Sequence, residues 1–583
     1  MTAQAPDDSG ESDFKVSFPE ANIEAVRGMA KTLATTLGPT PRDKLVVNTL
    51  ATREDTGHPA VPAIDDYVAT SDGTTILTKI PLRHPIAPIV RDVTGPDRPG
   101  ETDVEGKDIP DGVTTTLVLA GALLNEAATL LERGVHPRDV TRGFHVGADV
   151  AKETLDELAR PPEEFPNGNG LHAAARTAMT GNDVGGHADR WAQFAADAVK
   201  TVGRPTERSF AVRQTSDGSV DDSRLVRGAV LDANCIVHDR MARAVSDADV
   251  LVIGGHDRGG LQDPEVNERY VATPESPEQV EGFRNLFADN RHAVVERIGD
   301  VGADVVVTQL GITQEYQSLL ADLGVVGIRN VTSLDLLQVA SATGAAVVKN
   351  PEDVHADHLG HAGRVRELTV GSRRDETGAS QMVVFEDCSD PDAVTVLLHG
   401  VTERLGEQAT TQVRKAANAA AVAAGKTALR GGIVPGGGAT DIAIANRVRD
   451  LATADATRVQ LATNAFADAV TQVVATLASN GGMDPIDTVA SLRRDHANGE
   501  PSTGLVFPSR TTGDTWSAGI VDPAGIRREQ YTKAVQVANV VLSIDDAVDA
   551  TFSEDLSGTE DAIFEKPAER HEEHVAENET RWG

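Results

Sequence analysis

Residues 111–134, DGVTTTLVLAGALLNEAATLLERG, are the stretch on which the fold turns. Leu117, Ala120, Leu124, Ala127 and Leu131 recur at steps of three and four, which predicts a helix with one buried face. Gly134 stands at the C′ position, where a left-handed residue ends a helix. What precedes the helix carries chemistry. A carboxylate (Asp111), a glycine that admits close backbone approach (Gly112), and the hydroxyls of Thr114 and Thr115 at a helix N-terminus suit a metal-bound phosphate. The same residues also make an ordinary N-cap and a Thr-rich first turn, so this stretch alone leaves both readings open.

The chain has 583 residues, too many for one core, and roughly two to four domains are expected. No apolar stretch approaches the length of a membrane span, about 20 residues, and no membrane association is expected. The N-terminus, MTAQAPDDSGESDFK, is acidic and lacks the apolar core of a signal peptide. Cys235 and Cys388 are too few for a disulfide framework or a zinc site. A cytoplasmic location is the expectation. Asp and Glu number 89 against 54 Lys and Arg, a formal net charge of −35. Nucleic acid is an unsuitable partner for such a surface, because phosphate contacts need basic residues. The acids are spread, as at Asp103, Glu105, Asp108, Glu163, Glu164, Asp221 and Asp222, rather than gathered in tails. That favours a surface adapted to molar salt, where a Debye length of about 3 Å screens self-repulsion.

Along the chain, residues 1–18 and the charged tail 550–583 read as disordered. A helix is expected over Asn22 to Leu37, stopped by Gly38-Pro39. Leu45–Val47 and Tyr67–Ala69 read as strands joined by a long hairpin loop, and Ser71–Leu77 as a turn feeding an apolar segment. Helical pattern resumes from Pro137 to Leu158, and Pro161-Pro162 stops it. The middle third carries short β-branched runs, Val250–Ile253, Val305–Val307, Val325–Ile328 and Ala346–Val348. Helical segments separate them, around Val280 to Ile298 and Leu334 to Ala342, which indicates an α/β region with a partly parallel sheet. Met382–Phe385 and Val394–Leu398 close that region. From Glu403 the chain is helical and alanine-rich, interrupted at Gly436–Gly438, and it ends in a helix from Glu529 to Leu542. Helical, then α/β, then helical is the order produced by one domain inserted in another.

Four turns share a glycine-bearing character: Leu37-Gly38-Pro39, Asp72-Gly73-Thr74-Thr75, Asp111-Gly112-Val113-Thr114-Thr115 and Gly436-Gly437-Gly438. Singly each is an ordinary turn. Together they resemble the nucleotide site of the group II chaperonins, the thermosome and its cytosolic relatives. Residues 22–47 resemble that family's first helix and TLGP loop, and residues 71–77 its NDGATIL motif. Residues 111–124 are similar to its GDGTTT segment and following helix, residues 433–444 to its GGGA stretch, and residues 542–546 to its LRIDD ending. The similarity runs in order from about residue 20 to 548.

The resemblance implies a multidomain α+β/α protein. Residues 19–158 and 414–549 would form a mostly helical equatorial ATP-binding domain. Residues 159–221 and 370–413 would form a small intermediate domain. Residues 222–369 would form an α/β apical domain that binds substrate, with a lid protrusion near Tyr270 to Phe287. Two stacked rings of such subunits, alone or with paralogues, would enclose unfolded polypeptides. Val280, Phe283 and Leu286 also suit an ordinary helix core.

By the same resemblance Asp111 would bind Mg²⁺ between the phosphates of ATP. Leu37, Gly38, Pro39, Gly73, Thr74, Thr75, Gly112, Thr114, Thr115 and Gly437 would surround the nucleotide, and Asp522 would replace a ribose-contacting Glu. Asp72 would orient the attacking water. Phosphoryl transfer needs mostly positioning and charge stabilisation. The departures are specific. The family's second water-activating Asp falls at Lys415 when counted forward from His399-Gly400, and at Ala419 when counted backward from Gly436. Neither is a carboxylate, and losing a general base costs about 10²- to 10⁴-fold in rate. Pro41 replaces a loop glycine and has no N–H to offer, and Asn182 replaces a lysine. Lys415, Pro41 and Asn182 therefore support a second reading: a nucleotide-binding, hydrolysis-impaired structural subunit beside active paralogues. A small-molecule phosphotransferase using Gly436 to Gly438 is a third, for which no further base can be named.

Overall fold

The computed structural model describes residues 18–50, 63–79, 84–94, 112–181, 186–232, 234–255, 259–262, 277–370, 380–401, 403–452 and 457–544. Glu20–Ser543 form one unit; Met1–Pro19 with Ile544–Gly583 group as another, of which only Phe18, Pro19 and Ile544 are described. The first helix, α1 (Phe18–Ala34), buries Ile23, Val26, Ala30 and Leu33. It stops before Leu37 because Thr36 turns back on Leu33, donating from both its N–H and its hydroxyl to that carbonyl, each at 2.9 Å. Strands β1 (Lys44–Leu50) and β2 (Ala63–Thr70) pair antiparallel, with Val46 opposite Val68. Their connection lies outside the described residues. Short helices α2 (Gly73–Lys79) and α3 (Ile86–Thr94) follow.

The decisive stretch becomes α4 (Val113–Glu132), with Gly112 at its N-cap and Gly134 just past its C-cap, both at φ +79°. Its buried face is wider than the predicted stripe. Val118, Leu119, Ala122, Leu123 and Leu130 are buried too, while Leu131 is only half-buried. By length and composition α4 is the one described helix apolar enough to cross a membrane, yet 67% of its most apolar window is covered by protein. It is a core helix. Helix α5 (Pro137–Leu158) occupies the span expected from its pattern.

In the middle come α6 (Gly170–Ala178), α7 (Ala188–Val202), β3 (Phe210–Gln214), β4 (Arg224–Val226), β5 (Ala229–Asp232), β6 (Ala244–Ile253), α8 (Pro277–Asp300), β7 (Val305–Thr308), α9 (Gln314–Leu323), β8 (Val326–Ile328), α10 (Ser333–Thr343), β9 (Val347–Val348), β10 (Gly360–Val370), β11 (Ser380–Glu386) and β12 (Val394–Leu398). Among the described residues seven strands form one sheet, in the order β5-β11-β10-β6-β7-β8, with β9 also on β6. The pairs β6–β7, β7–β8 and β6–β9 are parallel and the rest antiparallel, so the sheet is mixed. The runs at 250–253 and 305–307 are wholly buried, as strands covered on both faces must be. Strand β12 forms the centre of another sheet, β3-β12-β4, lying parallel to β3. An apolar run announces a buried strand without announcing its partner, and Phe210, Val212, Val396 and Leu398 share a core cluster with Trp191 of α7.

The last part holds α11 (Glu403–Ala423), β13 (Ile433–Pro435), α12 (Ala439–Ala452), α13 (Val459–Asn480), α14 (Pro485–Ala497), β14 (Thr503–Val506), β15 (Thr511–Asp514), β16 (Val521–Pro523) and α15 (Ala524–Ser543). Helix α15 starts earlier than the expected Glu529, straight from β16. Helices α13 and α15 pack on α4 and α5, so the two helical ends of the sequence share a core. The α5–α13 contact is unusually close. A Cβ at Gly143 would fall 2.4 Å from the Ala462 methyl, and one at Gly147 would fall 2.4 Å from the Phe466 ring, which is fully buried.

That contact predicts a contrast between two glycines. Gly147→Val, which overfills the seam, should lower stability by about 1–3 kcal/mol. Gly282→Ala, on an exposed part of α8 with nothing within 4 Å, should raise it by about 0.5–1 kcal/mol through helix propensity. Calorimetric midpoints of the two variants in molar KCl would check the opposite signs.

Candidate functional site

The glycine-bearing turns meet. A cavity of about 1400 Å³ is lined by Leu37, Gly38, Pro39, Pro41, Asp72, Gly73, Thr74, Gly112, Thr114, Thr115, Lys415, Gly437 and Asp522. The turns come from different element ends, and Lys415 comes from the middle of α11. The loop after α1 is held by Asn480 at the end of α13, whose side-chain amide donates to the carbonyls of Ala34 at 2.7 Å and Leu37 at 2.8 Å. Thr40 answers by donating to the Asn480 carbonyl at 2.6 Å. Gly73 abuts the first turn of α4 so closely that a Cβ there would fall 2.1 Å from the Thr114 hydroxyl. Gly112 lies in the left-handed region, and a side chain there would collide with Gln530 of α15. Gly437 has φ +60° and faces Leu505, whose N–H donates to the Gly437 carbonyl at 2.8 Å. Gly112 at the N-cap of α4 carries no side chain, and the first-turn N–H groups of a helix have no partner within the helix, so this turn presents donors at the cavity wall.

Thr75 is the exception among the expected residues. It does not line the cavity; its N–H and hydroxyl donate to one oxygen of Asp72, at 2.9 and 2.7 Å, and so cap α2. The other Asp72 oxygen is paired with the Lys415 ammonium of α11. Burial opposes the charge on Asp72, but Lys415 and the Thr75 donors outweigh it and hold the carboxyl below the usual range. Of the two positions that counting left open, Lys415 reaches Asp72, while Ala419 is buried against Val422 and Ile526. Asp111 and Asn182 lie outside the described residues. Gly181, beside Asn182, touches the loop at issue: a Cβ there would lie 2.3 Å from the Gly38 carbonyl and 3.0 Å from the Pro41 ring.

One buried cluster at this wall was not apparent from the sequence. Arg527 donates to Gln530 at 2.7 Å and to Tyr531 at 3.1 Å and pairs with Asp441, while the Tyr531 hydroxyl donates to Asp441 at 2.6 Å. Burial opposes the guanidinium charge, but Asp441, Tyr531 and Asp522 more than restore it, so Arg527 stays protonated. Burial and the Asp441 carboxylate together push the Tyr531 hydroxyl well above its usual value. Asp522 sits in β16 opposite Val434, its carboxylate 3.9 Å from Arg527. The only sequence signal was an acid three residues after the glycine run; Arg527 is 86 positions further on.

A model of the TCP-1/cpn60 chaperonin family matches residues 29–551. The chain belongs to that family. It is 32% identical over 541 residues to the thermosome subunit of Methanopyrus kandleri, covering 91% of each chain. It is 32% identical to the thermosome subunit beta of Methanothermobacter thermautotrophicus, over 91% of this chain and 92% of that one. With the thermosome subunit alpha of Thermoplasma acidophilum the identity is 31%, over 92% of each. These similarities make it a group II chaperonin, a protein that assists the folding of others.

The buried cluster yields a test. Arg527→Met should cost about 3–5 kcal/mol, because Asp441 is then left buried without its cation. Arg527→Met with Asp441→Leu should recover most of that loss, since neither charge remains. Urea midpoints of the single and double variants would decide it, and equal losses would contradict the pairing.

Proposed function

We propose that this chain is a subunit of a chaperonin ring that binds ATP with Mg²⁺ in the glycine-lined cavity and uses it to assist the folding of unfolded polypeptides. The observation that carries the reading is the convergence of four separate turns, those at Gly38, Gly73, Gly112 and Gly437, on one cavity. The residues present fit the nucleotide. Side chains at Gly112 and Gly437 would collide with their surroundings, and the first turn of α4 presents N–H donors with the hydroxyls of Thr114 and Thr115 beside them. ATP with Mg²⁺ brings the cleavable phosphoanhydride. Asp111 is assigned to the metal, Leu37, Gly38, Pro39, Gly73, Thr74 and Gly437 to the nucleotide, and Asp522 to its ribose. Both oxygens of Asp72 are engaged, so it is assigned to orienting water by hydrogen bonding rather than to taking its proton. Thr75 acts by holding Asp72.

The domain reading follows the same family. The shared helical core of the two chain ends is assigned as equatorial, the β3-β12-β4 sheet with α6, α7 and α11 as intermediate, and the seven-stranded sheet as apical. Because β11 pairs with β10 and β5, the apical part is drawn through Glu386 rather than ending at 369. The expected lid region begins among residues outside the described set, and α8 emerges from it with Leu286 exposed rather than in a helix core; the lid is assigned there by the family resemblance. Paralogous subunits in a double ring and a cytoplasmic location complete the proposal. Similarity to thermosome subunits over 91% of the chain favours the folding role over a purely structural one.

The test is refolding of a denatured client by the purified assembly in molar KCl. ATP should raise the yield, and Asp111→Ala should remove the ATP effect while ring-shaped particles persist in electron micrographs. A yield that ATP does not change, or particles without rings, would contradict the proposal.

A further inference from the structure

Among the described residues lining the cavity, the carboxylates have different circumstances. Asp441 is matched by Arg527, which also lies 3.9 Å from Asp522; Asp189 lies at the rim beside His172 and Arg176, and Asp43 is exposed. Asp72 adjoins the first turn of α4 through Gly73 and Thr114, the turn whose donors would meet phosphate. An unpaired carboxylate there would repel a polyphosphate at short range. The Asp72 and Lys415 side chains are only 9% and 18% exposed, so salt weakens their attraction little. Lys415 reaches this place from α11, far along the chain, and its ammonium cannot diffuse away as a bound ion can.

We propose that Lys415 is a tethered counter-cation: by neutralising Asp72 it lets this site hold a nucleoside di- or triphosphate with little dependence on divalent metal. Lys415 is a positioning and specificity residue in this scheme, and it takes part in no bond-breaking step. The inference rests on the nucleotide reading of the cavity. It differs from that reading in what it requires, because a nucleotide site in general needs no lysine at this position.

Calorimetric titration of ADP and of a non-hydrolysable ATP analogue into the intact assembly, in molar KCl with either Mg²⁺ or EDTA, measures the point directly. The quantity read is the ratio of Kd in EDTA to Kd in Mg²⁺. The wild type should show a ratio below about 10, and Lys415→Met should raise it by about 10-fold or more, because Asp72 then faces the phosphates alone. Lys415→Arg should keep the wild-type ratio. Asp72→Asn combined with Lys415→Met, a neutral pair without any ammonium, should return close to it; light scattering confirms that each variant remains assembled. Wild-type binding that appears only with Mg²⁺, an unchanged ratio in Lys415→Met, or a double variant no better than the single would overturn the counter-cation role alone. Absence of binding by the wild type in both buffers would overturn the nucleotide reading and this inference with it.

Discussion

Two glycines one helical turn apart, Gly143 and Gly147, let α5 lie against α13 with no Cβ between the backbone of one and the Ala462 methyl and Phe466 ring of the other. Dispersion falls steeply with distance, so a seam this close gains contacts that a longer separation would forfeit. The seam also has a topological effect. It fastens a helix from the first third of the sequence to one from the last third, and α4 and α15 are packed into the same core. Everything at the cavity depends on that closure, because its walls come from both sides. The α1 loop is held by Asn480 at the tip of α13, and Gly112 is backed by Gln530 of α15.

Charge placement at the cavity obeys one rule. A desolvated ion must be matched, since removing one partner leaves the other uncompensated in a poor solvent. Arg527 is matched by Asp441, with Tyr531 and Gln530 taking up further donors and acceptors. Asp72 is matched by Lys415 and by the two Thr75 donors. Both clusters join elements far apart in sequence, so the same ion pairs that satisfy burial also lock the walls together. For Asp72 the match has a chemical consequence. A carboxylate held below its usual range is a weak proton acceptor.

What could be read without coordinates depended on whether the information was local. The spans of α4 and α5 follow from apolar spacing, a proline at the first position and a glycine after the last, all within one segment. The early end of α1 was missed because Thr36 bonds back to Leu33, a local competition that periodicity does not register. The helix Gln314–Leu323 was not singled out, being short. Strand β12 was legible as a strand, but its pairing partner was not. Pairing is a choice among many apolar edges, and only the packing of Trp191 and the flanking helices selects β3. Likewise the sequence offered Lys415 and Ala419 equally by counting, whereas one helical turn along α11 separates them and only Lys415 reaches Asp72.

By itself, then, the sequence determined the kinds of local structure, the family to which the chain belongs and the glycine turns that surround the cavity, because each of these is written in neighbouring residues and their spacing. The tertiary structure alone decided which turns meet, that Asp72 faces an ammonium rather than open solvent, and that Arg527 and Asp441 bury each other's charge. The physical reason is that burial and electrostatic pairing are properties of distance in space. Residues 72 and 415, or 441 and 527, acquire a distance only once the helices of the two chain ends have packed.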